Sequence, residues 1–198
     1  MRLSRALNGL VSAPRTVVLV EGESDRVALL ALADRLGSDA GSHDAEVVAM
    51  GGITNIRAFA GRHGPHGLGQ RLAGLYDVGE ERHVRRGLIA AGLPVDDVVG
   101  PAGQGFHACH ADLEDELVRA VGLDGVEAVI EDAGEGRSLR LLAQMPAQQG
   151  WAREELVRRF LCSQSGRKVR YARLLVEAMD LRRAPAPMVA VVERVSAT

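Results

Sequence analysis

Apolar and polar positions along the chain fall into two regimes. From residue 16 to about residue 91, short continuous apolar runs alternate with stretches of helical period. Thr16–Val20 (TVVLV) is β-branched and uninterrupted, the pattern of a strand buried on both faces. A helix is predicted next, from Ser24 or Asp25 as cap to Leu36, with Val27, Leu30, Ala31 and Ala33 on its apolar side and Gly37 as its stop. Ala45–Met50 predicts a second strand, closed by Gly51-Gly52. Ile53–Arg62 predicts a second helix, broken by Gly64-Pro65-His66-Gly67. Leu72–Tyr76 predicts a third strand running into Asp77, and Glu80–Ala91 a helix closed by Gly92 and Pro94. Strands alternating with helices imply βαβ units and a mainly parallel sheet, so the fold class is α/β. Ligands on such sheets bind beyond the carboxyl ends of the strands. Glu21, Gly51-Gly52 and Asp77 all fall on that rim.

After residue 92 the pattern becomes helical. Val95–Val99 and Phe106–Cys109 are short strand candidates. Asp112–Val121, Val126–Asp132, Ser138–Ala147, Ala152–Leu161, Lys168–Met179 and Met188–Val195 carry helical period. We expect a core over residues 1–95 and a helix-rich C-terminal part, 96–198, packed on or completing it.

Composition narrows the function classes. Of 198 residues, 46% are hydrophobic but only 3% aromatic, so the core is built of Val, Leu, Ile and Ala. No run approaches the ~18 apolar residues of a membrane helix, and the N-terminus lacks a signal-peptide core. Two cysteines, Cys109 and Cys162, are too few for a disulfide framework. A cytoplasmic protein with no membrane contact is expected. The net charge of −2 divides unevenly: about −7 over residues 1–150 and about +5 over residues 151–198. An acidic body beside a basic segment suits metal and backbone binding side by side, although both can also be ordinary solvated faces. Of 24 basic residues only Lys168 is lysine. Where arginine replaces lysine almost everywhere, a surviving lysine is either a chance remnant or a position that calls for a compact ammonium.

The densest candidate chemistry is Glu21-Gly22-Glu23-Ser24-Asp25 together with Asp77. Carboxylates crowded at a strand end repel one another unless a cation or a proton intervenes. Hard cations such as Mg²⁺ take such oxygen ligands, usually with water and phosphate completing the shell. Helix capping accounts equally well for Ser24 and partly for Asp25, but not for Glu21 on the strand end. Within the predicted helix after Asp112, Glu114 lies three and four residues before Leu117 and Val118, which leans it toward the apolar side. His107-Ala108-Cys109-His110 is too crowded for a zinc finger and has no second pair at finger distance.

Val18-Leu19-Val20-Glu21-Gly22-Glu23-Ser24-Asp25 resembles the opening strand and Glu-Gly motif of the Toprim domain, the metal-binding fold of topoisomerases, primases and OLD-type nucleases. Ser24-Asp25, Leu75-Tyr76-Asp77, the acidic helix Asp112–Leu117 and Gly166-Arg167-Lys168-Val169-Arg170-Tyr171-Ala172 are similar to the OLD branch in particular. The resemblance spans about residues 16–190 and implies a Rossmann-like sheet flanked by helices, with a helix-rich extension. It further implies phosphodiester hydrolysis with one or two Mg²⁺ or Mn²⁺ ions. Glu21 (also as general base), Asp25, Asp77 and Glu114 would be the metal ligands, with Glu80 or Glu81 standing in for the missing second acid of the Asp77 motif. Lys168 would steady charge on the scissile phosphate, and Arg167, Lys168, Arg170 and Arg173 would grip the nucleic acid, DNA rather than RNA. A homodimer and a separate ATPase partner stay open. Two departures stand out. The second Toprim motif is Asp-x-Asp, whereas Gly79 stands in the second position here. OLD proteins place an ATPase domain before the Toprim part, where this chain has about 15 residues, and its one lysine is followed by Val169 rather than by the Ser or Thr of a Walker loop. ATP hydrolysis is not expected of it. The competing expectation is a Toprim-like module that binds nucleic acid or a partner without cutting.

Overall fold

The computed structural model describes residues 16–38 and 45–196. Four parallel strands lie in the order β2-β1-β3-β4, formed by Thr16–Val20 (β1), Ala45–Ala49 (β2), Arg71–Asp77 (β3) and Phe106–Cys109 (β4). Register runs from Thr16 opposite both Ala45 and Arg71 to Asp77 opposite Cys109. The central strands read as uninterrupted apolar runs because both faces are covered. On one face Val17 and Leu19 meet helices α2 (Ile56–His63) and α3 (Glu81–Ala90) through Ile56, Ala60, Val84 and Leu88. On the other, Val18 and Val20 join a larger cluster built from α1 (Glu23–Arg35) and the C-terminal helices.

Those helices are α4 (Leu113–Val121), α5 (Leu123–Asp132), α6 (Gly136–Ala143), α7 (Arg153–Leu161), α8 (Arg167–Ala178) and α9 (Ala186–Ser196). The C-terminal part adds β4 as a sheet strand, and α8 and α9 pack directly on α1. Tyr171 and Leu175 of α8 and Val191 of α9 share one core with β1. No helix among the described residues is long and apolar enough to cross a membrane.

Two features fix the sheet locally. A Cβ on Gly74 would stand 2.5 Å from the Phe106 ring and 2.6 Å from the Leu19 carbonyl, so the close approach of β1, β3 and β4 depends on this glycine. Beyond β2 the chain turns through Gly51 (φ 71) and Gly52 (φ 125). The Gly52 N–H then donates to the Glu21 carbonyl at 3.0 Å, tying the end of β2 to the end of β1.

The expected strand at Val95–Val99 is not formed. The Asp96 carboxylate accepts hydrogen bonds from the backbone of Val98 (2.8 Å) and Val99 (2.6 Å), which curls the segment into a turn. Val98 is left 95% exposed. The other elements lie within a few residues of their expected places; the largest shift is α6, which ends at Ala143 with Pro146 opening a separate 3₁₀ turn.

Candidate metal and phosphate site

The site is assembled from four chain segments at the carboxyl rim of the sheet. Glu21 follows the last residue of β1, and Asp77 is the last residue of β3. Asp25 is held by local geometry: its Oδ2 accepts the Gly22 N–H at 2.7 Å. Gly22 is therefore the N-cap of α1, not Ser24 or Asp25, and Asp25 reaches back from the first turn. One Asp25 oxygen is thus committed to the cap and the other is left for a ligand. Glu114 comes from the first turn of α4, which starts just past the end of β4. Lys168 comes from the first turn of α8, and its Nζ lies 3.1 Å from Glu114 Oε2.

Glu21, Gly22, Ser24, Asp25, Asp77, Leu113, Glu114 and Lys168 line one cleft of ≈ 160 Å³. Its electrostatics are those of an acid-rich, partly desolvated pocket. Burial raises the Asp25 carboxyl to about 6, against the Gly22 hydrogen bond, with Glu114 and Glu21 adding repulsion. Burial raises Asp77 to about 7, reinforced by Glu21, Asp25, Asp112 and Glu114. Burial opposes charge on Lys168, but the Glu114 carboxylate outweighs it and the ammonium pKa is raised. Carboxylates held this close favour a proton or a cation between them.

The remaining expected residues lie elsewhere. Glu80 does not line this cleft; its carboxylate contacts His83 Nδ1 at 2.8 Å. Glu23 faces outward and is paired with Arg26. Arg167 departs most from expectation. It is 6% exposed, stacks 4.0 Å above the Phe160 ring and spends its guanidinium on Glu135, Ser163 and the Phe160 carbonyl. No face of it is left for a phosphate. Arg170 binds the same Glu135 carboxylate, and Arg173 pairs with Glu177. Of the expected nucleic-acid contacts only Lys168 opens into the cleft. Cys109 is buried and burial raises its thiol pKa, and among the described residues no group of three His, Cys, Asp or Glu forms around His107-Ala108-Cys109-His110.

Sequence reasoning missed the support beneath Glu114. Asp112 caps α4 through the Asp115 N–H (2.7 Å), and Arg158 of α7 holds Asp112 at 2.7 Å and Asp115 at 3.4 Å. Glu116 accepts the His110 N–H at 2.8 Å, and Arg119 pairs with both Asp115 and Glu116. The N-cap aspartate was legible in Asp112-Leu113; its partner 46 residues later was not.

Sheet order, parallel register and an acid-bearing rim give a Toprim-like fold. Residues 14–62 match the family model described as Overcoming lysogenization defect protein-like, TOPRIM domain. The fold is that of OLD C-terminal regions. That of the Xanthomonas campestris pv. campestris OLD protein is 23% identical, over 93% of this chain and 95% of that one, with a TM-score of 0.69. That of the Burkholderia pseudomallei OLD protein is 24% identical, over 92% and 96%, with a TM-score of 0.66. No curated protein sequence matches the chain.

The donor set fits a hard cation. Among the described residues no three His, Cys, Asp or Glu side chains converge tightly enough to cage an ion by themselves. Mg²⁺ does not require such a cage, since it keeps several waters and takes one or two carboxylates. Oxygen donors from Glu21, Asp25 and Asp77 in a cleft with room for water meet that need.

Proposed function

We infer that this chain hydrolyses phosphodiester bonds of nucleic acid in a divalent-metal-dependent reaction. The observation that carries this reading is the convergence of Glu21, Asp25, Asp77, Glu114 and Lys168 on one rim cleft from four separate segments. Glu21, Asp25 and Asp77 would hold the ion. Bound Mg²⁺ or Mn²⁺ would polarise a phosphoryl oxygen and acidify a bound water. Glu21, on the strand end, would orient the attacking water and take its proton. The water oxygen would form the new bond to phosphorus as the bond to the leaving sugar oxygen breaks, that oxygen taking a proton from solvent. Lys168 sets an ammonium beside the cleft, where it offsets negative charge building on the phosphate. Until substrate arrives, Glu114 holds that ammonium in place.

A non-cleaving Toprim-like binding module is the second reading, favoured by Gly79 in the position of the second motif acid. One experiment separates the two. Supercoiled plasmid, linear DNA and RNA are incubated with the protein in Mg²⁺ or Mn²⁺, beside Glu21→Ala and Lys168→Ala. Metal-dependent cleavage lost in both variants supports the nuclease. Cleavage that persists in both would overturn the site assignment, and binding without cleavage selects the module.

A further inference from the structure

The arginines best placed for a nucleic-acid backbone are not in the basic C-terminal segment. Most of that segment is neutralised internally: Arg153, Arg158, Arg167, Arg170 and Arg173 each have a carboxylate partner. The opposite holds on α2 and α3, which carry five arginines and a single acidic residue, Glu81. Arg85 is occupied by Asp97. Arg57, Arg62, Arg82 and Arg86 are exposed and have no hydrogen bond or ion pair among the described residues. Three further arginines in that state, Arg137, Arg159 and Arg194, are scattered over α6, α7 and α9.

The four lie on one helical layer, over the sheet face opposite α1 and α8. A Cβ built on Gly87 would stand 2.7 Å from Ile56 and 3.2 Å from the Arg57 backbone nitrogen, so the start of α2 at Arg57 packs against α3 at Gly87, the residue after Arg86. Arg82 and Arg86 are four residues apart on one helix face, where like charges repel by a few tenths of a kcal/mol. Both helices begin at the catalytic rim. Arg57 stands in the first turn of α2, after Gly51-Gly52, and Arg82 follows Asp77 by five residues. The nearby acids Glu80 and Glu81 are turned to His83 and Arg85. The layer thus offers unneutralised planar cations running away from the metal-binding edge, and guanidinium groups match phosphate oxygens bidentately.

We propose that the α2–α3 layer, through Arg57, Arg82 and Arg86, is the surface that tracks the phosphate backbone of the nucleic acid leading into the rim cleft. This rests on the nucleic-acid reading given above and relocates the contact surface. Each phosphate neutralised on a duplex contributes about 0.9 to the slope of log affinity against log salt.

The test is fluorescence anisotropy of a labelled 20-base-pair DNA duplex with the full chain, without divalent metal, from 50 to 200 mM salt. The Arg57→Gln/Arg82→Gln/Arg86→Gln variant is compared with Arg170→Gln/Arg173→Gln. All five positions are at the surface, and thermal melts verify folding. The expected result is a triple variant weakened at least about tenfold with a salt slope shallower by about three, and a double variant within about twofold of wild type. Wild-type binding that the triple variant leaves unchanged overturns the surface but not the nuclease reading. Absence of wild-type binding to the metal-free duplex overturns the surface, while the nuclease reading is decided by the metal-dependent cleavage assay. Loss of binding in the double variant alone returns the contact to the C-terminal segment and overturns the proposal.

Discussion

Asp25 permits a quantitative test of whether the rim cleft is built for a cation. Its carboxyl is raised from 3.8 to about 6, chiefly by burial. The sign follows from linkage. A carboxyl with a folded pKa above its unfolded value binds its proton more tightly in the native state. It therefore favours folding below about pH 4 and loses that contribution as pH rises through the folded pKa near 6. A shift of about two units at ~1.4 kcal/mol each gives about 3 kcal/mol in full, of which about 2 kcal/mol is lost between pH 4.5 and pH 7.5. Asp77 moves in the same direction to about 7 but is half-exposed, so solvent screening leaves it a smaller share per unit. Asp25→Asn removes the Asp25 contribution while its side-chain carbonyl can still accept the Gly22 N–H. Urea denaturation in EDTA at pH 4.5 and 7.5 then measures the difference between wild type and variant, in which carboxylates not coupled to Asp25 cancel and the smaller, Asp25-dependent part of the Asp77 shift adds in the same direction. That difference should move against wild type by about 2 kcal/mol across the interval. Adding Mg²⁺ at pH 7.5 should restore wild type, by ~2.7 kcal/mol at a hundred times the dissociation constant, and leave Asp25→Asn much less affected. A difference that is flat or moves toward wild type, or an equal response of both proteins to Mg²⁺, would refute the reasoning.

Three further outcomes are expected. Arg158→Ala removes the cation shared by Asp112 and Asp115, so urea midpoints should fall by an amount equivalent to ~1–2 kcal/mol, and cleavage should drop because Glu114 rides on the same helix start. Gly74→Ala forces a methyl into the Phe106 ring and the Leu19 carbonyl and should cost ~1–3 kcal/mol in the same assay. Gly79→Asp meets no atom within 4 Å of its new Cβ, so stability should stay within about 0.5 kcal/mol. Isothermal titration with Mg²⁺ should show that variant binding several-fold more tightly if the missing second acid is what limits the site.

Comparing expectation with structure locates the limit of local reasoning. Strands β1 and β3 and the rim acids Glu21 and Asp77 were legible because an apolar run of strand length, ended by a polar residue, is a local signal. Lys168 was legible from composition and Glu114 from helical period, and the structure brings them to 3.1 Å. Val95–Val99 misled because its valines satisfy strand propensity while Asp96 captures their backbone N–H groups.

The sequence by itself therefore determined the α/β alternation, the parallel sheet and which acids end its strands, since each depends on neighbours a few residues apart. Only the tertiary structure decided which charges are spent and which are free. Arg167 lies beside Lys168 in the chain yet turns inward to Glu135, 32 residues away, while Lys168 opens into the cleft. Charge pairing is a property of helix packing, and packing joins residues whose separation in sequence carries no periodic signal. For the same reason the segment richest in basic residues is largely neutralised, and of the seven exposed arginines without a partner among the described residues four lie on α2 and α3.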